Sequence, residues 1–133
     1  MIVAGTTLPV QYILAEEPAA QAVRDVDAAW VAPPLSATEV RSALLTYVRA
    51  GRMSADEAIR ACALAAALAD RTRSVQDADV LRAAARYGLS AYDAEYVVLA
   101  QALGVRLVTS GKRVLAAVPD VAVVPEAFAG DAG

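Results

Sequence analysis

The stretch Leu89-Ser-Ala-Tyr-Asp-Ala-Glu-Tyr-Val-Val-Leu-Ala100, continued by Gly104-Val-Arg-Leu-Val-Thr-Ser-Gly-Lys-Arg-Val-Leu115, decides the fold. Ser90 stands three residues ahead of Asp93. That is the spacing of a helix start, where a serine oxygen accepts from the third amide and a carboxylate sits at the positive end of the dipole. Tyr96, Val97 and the run from Leu99 to Leu103 then give a broad apolar face, and Gly104 gives a stop. Val105 to Thr109 follows as a short apolar strand, and Ser110-Gly111 leads into a short helix over about Lys112 to Val118. Helix, buried strand, helix is the unit of a parallel sheet, because parallel neighbours need a crossover between them.

The rest of the chain extends this pattern. Met1 to Ala4 reads as a buried strand that ends before Gly5, and Thr6-Thr7 can cap a helix whose first turn tolerates Pro9. Glu17 to Val26 reads as a short amphipathic helix, and Ala28 to Ala32 as a strand closed by Pro33-Pro34. Four helix starts share one device: Ser36-Ala-Thr-Glu39, Ser54-Ala-Asp-Glu57, Ser74-Val-Gln-Asp77 and Ser90-Ala-Tyr-Asp93 each match a capping box or its aspartate variant. Leu44, Leu45 and Val48 mark the expected buried face of the first helix. Ile59, Leu64 and Leu68 mark that of the second, and Leu81, Ala84 and Ala85 that of the third. Val121 to Val124 is a last strand. The expectation is an α/β three-layer sandwich, with a mostly parallel central sheet of about four short strands flanked by helices. It forms one domain over 1–126, with a frayed tail over 127–133.

Composition narrows the chemistry. At 133 residues the chain has the length of one domain with a real core. Hydrophobic residues make up 58% but aromatics only 5%, and 33 positions are Ala, which points to closely packed helices. With no His, a Ser-His-Asp triad, a Cys-His pair and an imidazole base are all excluded. The single Cys62 lies in an Ala-rich run and reads as a small buried hydrophobe. A net charge of −3 argues against a strongly basic nucleic-acid module. The uncharged opening is broken by Gly5 and Pro9 and followed by Glu16-Glu17, so neither a membrane anchor nor a leader is expected, and the location expected is cytoplasmic.

In a parallel sheet, chemistry gathers at the carboxyl ends of strands and the amino ends of the helices that follow. Those positions are Gly5 to Thr7, Ser36 to Glu39, Ser90 to Asp93 and Thr109 to Lys112. At these places the sequence resembles the PIN domain, especially its VapC-like toxin branch. The matching stretches are Met1 to Leu8, Ala32 to Leu44, Leu89 to Ala100 and Gly104 to Leu115, the last two being the most specific. The resemblance implies a ribonuclease that uses Mg²⁺ or Mn²⁺ held by converging acids and is restrained by a small antitoxin. Mg²⁺ is a hard cation that wants oxygen ligands, and RNA brings its own negative charge, so such a site needs several carboxylates.

Carried over by position, Glu39 and Asp93 match two of the family's acids and are the residual catalytic and metal-ligating candidates. Gly5 replaces the acid expected at the end of the first strand, and Gly111 the acid expected after the third. Thr6 and Thr109 can support a site with hydroxyls but add no charge. Ser42 stands where the family often has Asn, and Glu95, two positions from Asp93, points to another helix face. The resemblance thus implies weak or absent Mg²⁺ or Mn²⁺ binding and an impaired nuclease acting as a binding partner. Its partners would be an antitoxin-like peptide, single-stranded RNA or a second copy in a homodimer. The alternative is an active endoribonuclease using Glu39 and Asp93.

Plainer roles compete for the same residues. Glu39 and Asp93 occupy the acidic position of a capping box, just as Glu57 and Asp77 do. Lys112 and Arg113, with Arg106, can contact a phosphate or an acidic partner segment, or serve as ordinary solvated charges. Tyr92 and Tyr96 can stack on a base, although Tyr96 at helical spacing suits the core. Ser110-Gly-Lys112 is no phosphate loop, because Gly104 lies too far away and Arg113 replaces the required hydroxyl.

Overall fold

The structure is a computed structural model that describes residues 1–131. Among the described residues the chain forms β1 (Ile2–Ala4), α1 (Thr7–Leu14), α2 (Pro18–Val26), β2 (Trp30–Ala32), α3 (Ser36–Arg49), α4 (Ala55–Leu68) and β3 (Arg71–Thr72). It continues through α5 (Asp77–Tyr87), α6 (Ala91–Leu103), β4 (Leu107–Val108), α7 (Lys112–Ala117), β5 (Ala122–Val123) and α8 (Pro125–Asp131). The strands lie in the order β3-β2-β1-β4-β5, and every neighbouring pair is parallel. The α/β class and the parallel sheet agree with the sequence, but the strand count is five rather than about four. The extra strand, β3, is two exposed polar residues, Arg71 and Thr72, with no apolar run to announce it.

Strand β1 is the hub. Val3 pairs with Val31 on one side and Leu107 on the other, so the chain reverses its direction of progress across the sheet between β1 and β4. At such a switch point the loops leaving the strand ends diverge and open a crevice. Gly5, just past β1, donates its amide to the Val108 carbonyl at 2.9 Å and carries the pairing one residue beyond the strand. One apolar layer packs α6, α5 and α7 on the sheet through Val97, Leu99, Leu107 and Val114. The opposite layer packs Leu8, Val23 and Trp30 with Phe128. Trp30 is fixed by its indole N–H to the Asp27 carbonyl at 2.7 Å, with Arg24 over its ring at 4.9 Å. Small residues serve close approach here: Ala94 and Ala100 of α6 are fully buried.

Three expectations need correction. First, only α4 completes a capping box: Ser54 accepts from the Glu57 amide at 3.1 Å, and Glu57 accepts from the Ser54 amide at 3.2 Å. Ser90 does accept from the Asp93 amide at 3.1 Å. Pro33-Pro34 start a turn that makes Leu35 the cap of α3, so Ser36 falls inside the first turn and Glu39 one position too far to cap. α5 begins at Asp77 behind Gln76, which leaves Ser74 outside the helix. Second, the tail expected to fray from Ala127 is helical to Asp131. Ala127, Phe128 and Ala129 pack against the layer around Trp30. The remaining tail residues, 132 and 133, lie outside the described region.

Third, Leu45, Ile59, Leu64 and Leu81 were expected to face the core but are exposed, Ile59 by 66%. α3 and α4 instead bury Val40, Leu44, Ala61 and Ala65 between them and α1. Ala spacing, not the large side chains, defines the inward face of α4. The Ala-rich sequence concealed it, because Ala fits either face.

The Ser54 cap should stabilise α4 measurably. Ser54→Ala is expected to cost about 1 kcal/mol in urea denaturation. The Glu57 carboxyl is held below its ordinary value, first by the Ser54 amide and then by the Ser54 hydroxyl. A lowered folded-state value means stability present above the unfolded carboxylate range and lost as pH falls through the folded value. The stability gap between wild type and Glu57→Gln should therefore close on acidification. A gap that stays constant with pH would contradict this.

Candidate functional site

The crevice at the switch point is a cleft of about 180 Å³ lined by Gly5, Thr6, Thr7, Glu39, Asp93, Tyr96, Leu107, Thr109, Gly111 and Val114. The two acids and the two supporting threonines singled out by sequence thus converge on one place. Both glycines expected to replace acids border it as well. Lys112 and Arg113 are exposed on α7 and do not line the cleft. Arg106 donates to the Val121 carbonyl at 3.1 Å and the Ala122 carbonyl at 3.4 Å, so it braces β5. Ser42 is exposed on α3 away from the cleft lining, and Tyr92 is exposed as well.

Glu39 does not cap α3; it turns into the cleft. Its Oε1 lies within hydrogen-bond distance of the Tyr96 hydroxyl, at 2.7 Å, and of the Thr6 hydroxyl, at 3.0 Å, while the two hydroxyl oxygens lie 2.8 Å apart. Three oxygens from β1–α1, α3 and α6 therefore form a closed triangle. Tyr96 is 6% exposed, and burial pushes its phenol well above the ordinary value. The Thr6 hydroxyl opposes that shift, and the hydrogen bond to Glu39 adds to it. The phenol stays protonated and acts as a donor throughout the neutral range. Glu95 is only partly buried; burial raises its carboxyl above the ordinary value, and the negative charge of Glu39 raises it further. Glu95 thus senses the charge of Glu39 on α3 but does not line the cleft.

The floor of the cleft is set by Thr109. Its Oγ1 accepts from the Gly111 amide at 3.1 Å, which holds the side chain over the end of β1. A β-carbon on Gly5 would meet the Val108 carbonyl at 3.0 Å and Thr109 Cβ and Oγ1 at 3.1 Å. At Gly111 a β-carbon would lie 3.4 Å from Thr109 Oγ1, an ordinary contact, with φ at −69°. The two glycines are therefore unlike: one is packed against, the other has room.

A divalent cation is tested by this donor set. Two carboxylates line the cleft, and one of their oxygens is already engaged by neighbouring hydroxyls. Among the described residues, no group of three His, Cys, Asp or Glu side chains is placed to hold a metal ion. Mg²⁺ gives up its water reluctantly, so a site needs concentrated negative charge to hold it in place of bulk solvent. The residues present do not fit a resident divalent cation.

Sequence reasoning placed Tyr96 in the core and missed its hydroxyl. The available signal was its position three residues after Asp93, which puts both side chains on one face of α6.

No family model matches the sequence, and no curated protein matches it. Among solved structures, the chain is similar to the crystal structure of PAE2754 from Pyrobaculum aerophilum. The two are 23% identical, with a TM-score of 0.79, over 98% of this chain and 93% of that one. That likeness establishes the fold: an α/β sandwich whose parallel sheet is covered by helices on both faces. No helix is long and apolar enough to cross a membrane among the described residues.

The glycine geometry predicts unequal substitutions. Gly5→Asp should cost about 1–3 kcal/mol, because Thr109 and the Val108 carbonyl must move. Gly111→Asp should stay within about 0.5 kcal/mol of wild type. Urea denaturation of both variants checks this, and equal costs would contradict it.

Proposed function

We propose that the chain is a VapC-like PIN-domain protein whose metal site is incomplete, so that it is impaired as a nuclease and acts as a binding or regulatory partner. The observation that carries this reading is the cleft itself. Glu39 and Asp93 both line the cleft at the sheet's switch point, where the resemblance expects acids, but the neighbouring positions are Gly5 and Gly111. The fold is compatible with the resemblance, and the donor set argues against efficient metal-assisted hydrolysis. In this reading Mg²⁺ or Mn²⁺ is at most weakly held, and the protein works in the cytoplasm.

The partners proposed are an antitoxin-like peptide or a second copy of the chain. Leu45, Ile59 and Leu64 on α3 and α4 support a protein partner, since these large apolar side chains are exposed in the isolated chain. Single-stranded RNA is the further candidate ligand. Lys112 and Arg113, exposed at the start of α7, would contact its phosphates or an acidic partner segment from outside the cleft.

One observation favours the rival reading, an active Mg²⁺- or Mn²⁺-dependent endoribonuclease: the two retained acids do converge. Cleavage of single-stranded RNA separates the two. The impaired-nuclease reading expects no Mn²⁺-dependent cleavage by wild type above that of Glu39→Ala and Asp93→Ala. Cleavage by wild type that both substitutions abolish would establish the rival. Light scattering on the purified chain tests self-association, for which a dimer is expected.

A further inference from the structure

The triangle of Thr6, Glu39 and Tyr96 does something that neither a metal site nor a helix cap requires. A buried or half-buried carboxylate left without donors carries a large desolvation penalty. In a metal centre the cation removes that penalty, and without it neighbouring carboxylates repel each other. We infer that in this protein the hydroxyls of Tyr96 and Thr6 take the cation's place, holding the Glu39 carboxylate in the cleft in a stable, metal-independent arrangement. This inference rests on the reading of the cleft as an incomplete metal site and adds what keeps it folded.

Proton counting sharpens the arrangement. With Glu39 ionised, two hydroxyl protons serve three oxygen contacts, so one contact goes without a proton. The shorter contacts are Thr6 to Tyr96 at 2.8 Å and Tyr96 to Glu39 at 2.7 Å, against 3.0 Å for Thr6 to Glu39. A chain in which Thr6 donates to Tyr96 and Tyr96 donates to Glu39 uses the two shorter contacts. Each donor polarises the next, and the bond to the charged oxygen is the stronger for it. Tyr96 is thus the central link, accepting from one partner and donating to the other. Its ring is anchored in the apolar layer of α6, which fixes where its hydroxyl, and hence Glu39, is held. Three elements distant in sequence are tied at one point: residue 6 lies 33 positions from Glu39 and 90 from Tyr96.

The test is thermal denaturation of the full chain with millimolar MnCl₂ or with EDTA. It uses wild type, Tyr96→Phe, Thr6→Val and Thr6→Ser, with Tyr96→Phe repeated in a Glu39→Ala background. Wild type should melt at the same temperature in both solutions. Tyr96→Phe should lower Tm by about 5 °C, Thr6→Val should lower it less, and Thr6→Ser should keep it near wild type. In the Glu39→Ala background the Tyr96→Phe effect should largely vanish, because no carboxylate remains to be served. A merely packed tyrosine would lose the same amount in both backgrounds, and that result overturns the inference while leaving the impaired-nuclease reading intact. A rise in wild-type Tm of several degrees with Mn²⁺ overturns both.

Discussion

The parallel pairing of β1 with both β2 and β4 is the constraint on which the rest of the molecule depends. It makes β1 the central strand, sends the following helices to opposite faces and opens the crevice where Gly5, Thr109 and the start of α3 meet. Each strand is two or three residues long, so few ladder bonds hold the sheet on their own. The helix layers supply the remaining stability by burying the apolar strand residues on both sides. The cleft is a by-product of this topology: strand ends that diverge leave space, and side chains from β1–α1, α3, α6 and the β4–α7 turn fill it.

What fills it is mostly hydroxyl. Thr6 and Tyr96 serve Glu39, Thr109 ties down the Gly111 amide, and Asp93 completes the lining. The sequence resemblance implies a crowd of carboxylates at this point; the geometry has two, one of them already engaged. The departures at Gly5 and Gly111 also differ in kind. Thr109 and the Val108 carbonyl close over Gly5, whereas Gly111 stands at the open entrance to α7. The absence of an acid at Gly5 is thus built into the packing. At Gly111 it is a choice of side chain alone.

Much of the fold was legible because the strong local signals are also the global ones. Gly88 and Gly104 end α5 and α6 in left-handed conformations, and Pro33-Pro34 mark the turn after β2. The apolar runs around Val3, Val31, Leu107 and Val123 became buried strands. What failed had physical reasons. β3 is polar, exposed and two residues long, and its pairing with β2 is determined by tertiary position rather than by pattern. Ser36 matched a capping box, but the Pro33-Pro34 turn shifted the helix start by one residue. That shift released Glu39 for the cleft. Ile59, Leu64 and Leu81 misled because Ala residues, which carry little periodic signal, line the inward faces of α4 and α5. The site was half legible: spacing alone left Glu39 and Asp93 suited to capping, and the spacing of Tyr96 from Asp93 put it on the Asp93 face of α6 without pointing to Glu39 as its partner.

The central claim is that this cleft, despite two converging acids, is not a divalent metal centre. Calorimetric titration of Mn²⁺ into the wild-type chain addresses it most directly. The account predicts no saturable heat at submillimolar Mn²⁺. A single saturable site of micromolar affinity that disappears in both Glu39→Ala and Asp93→Ala would contradict it.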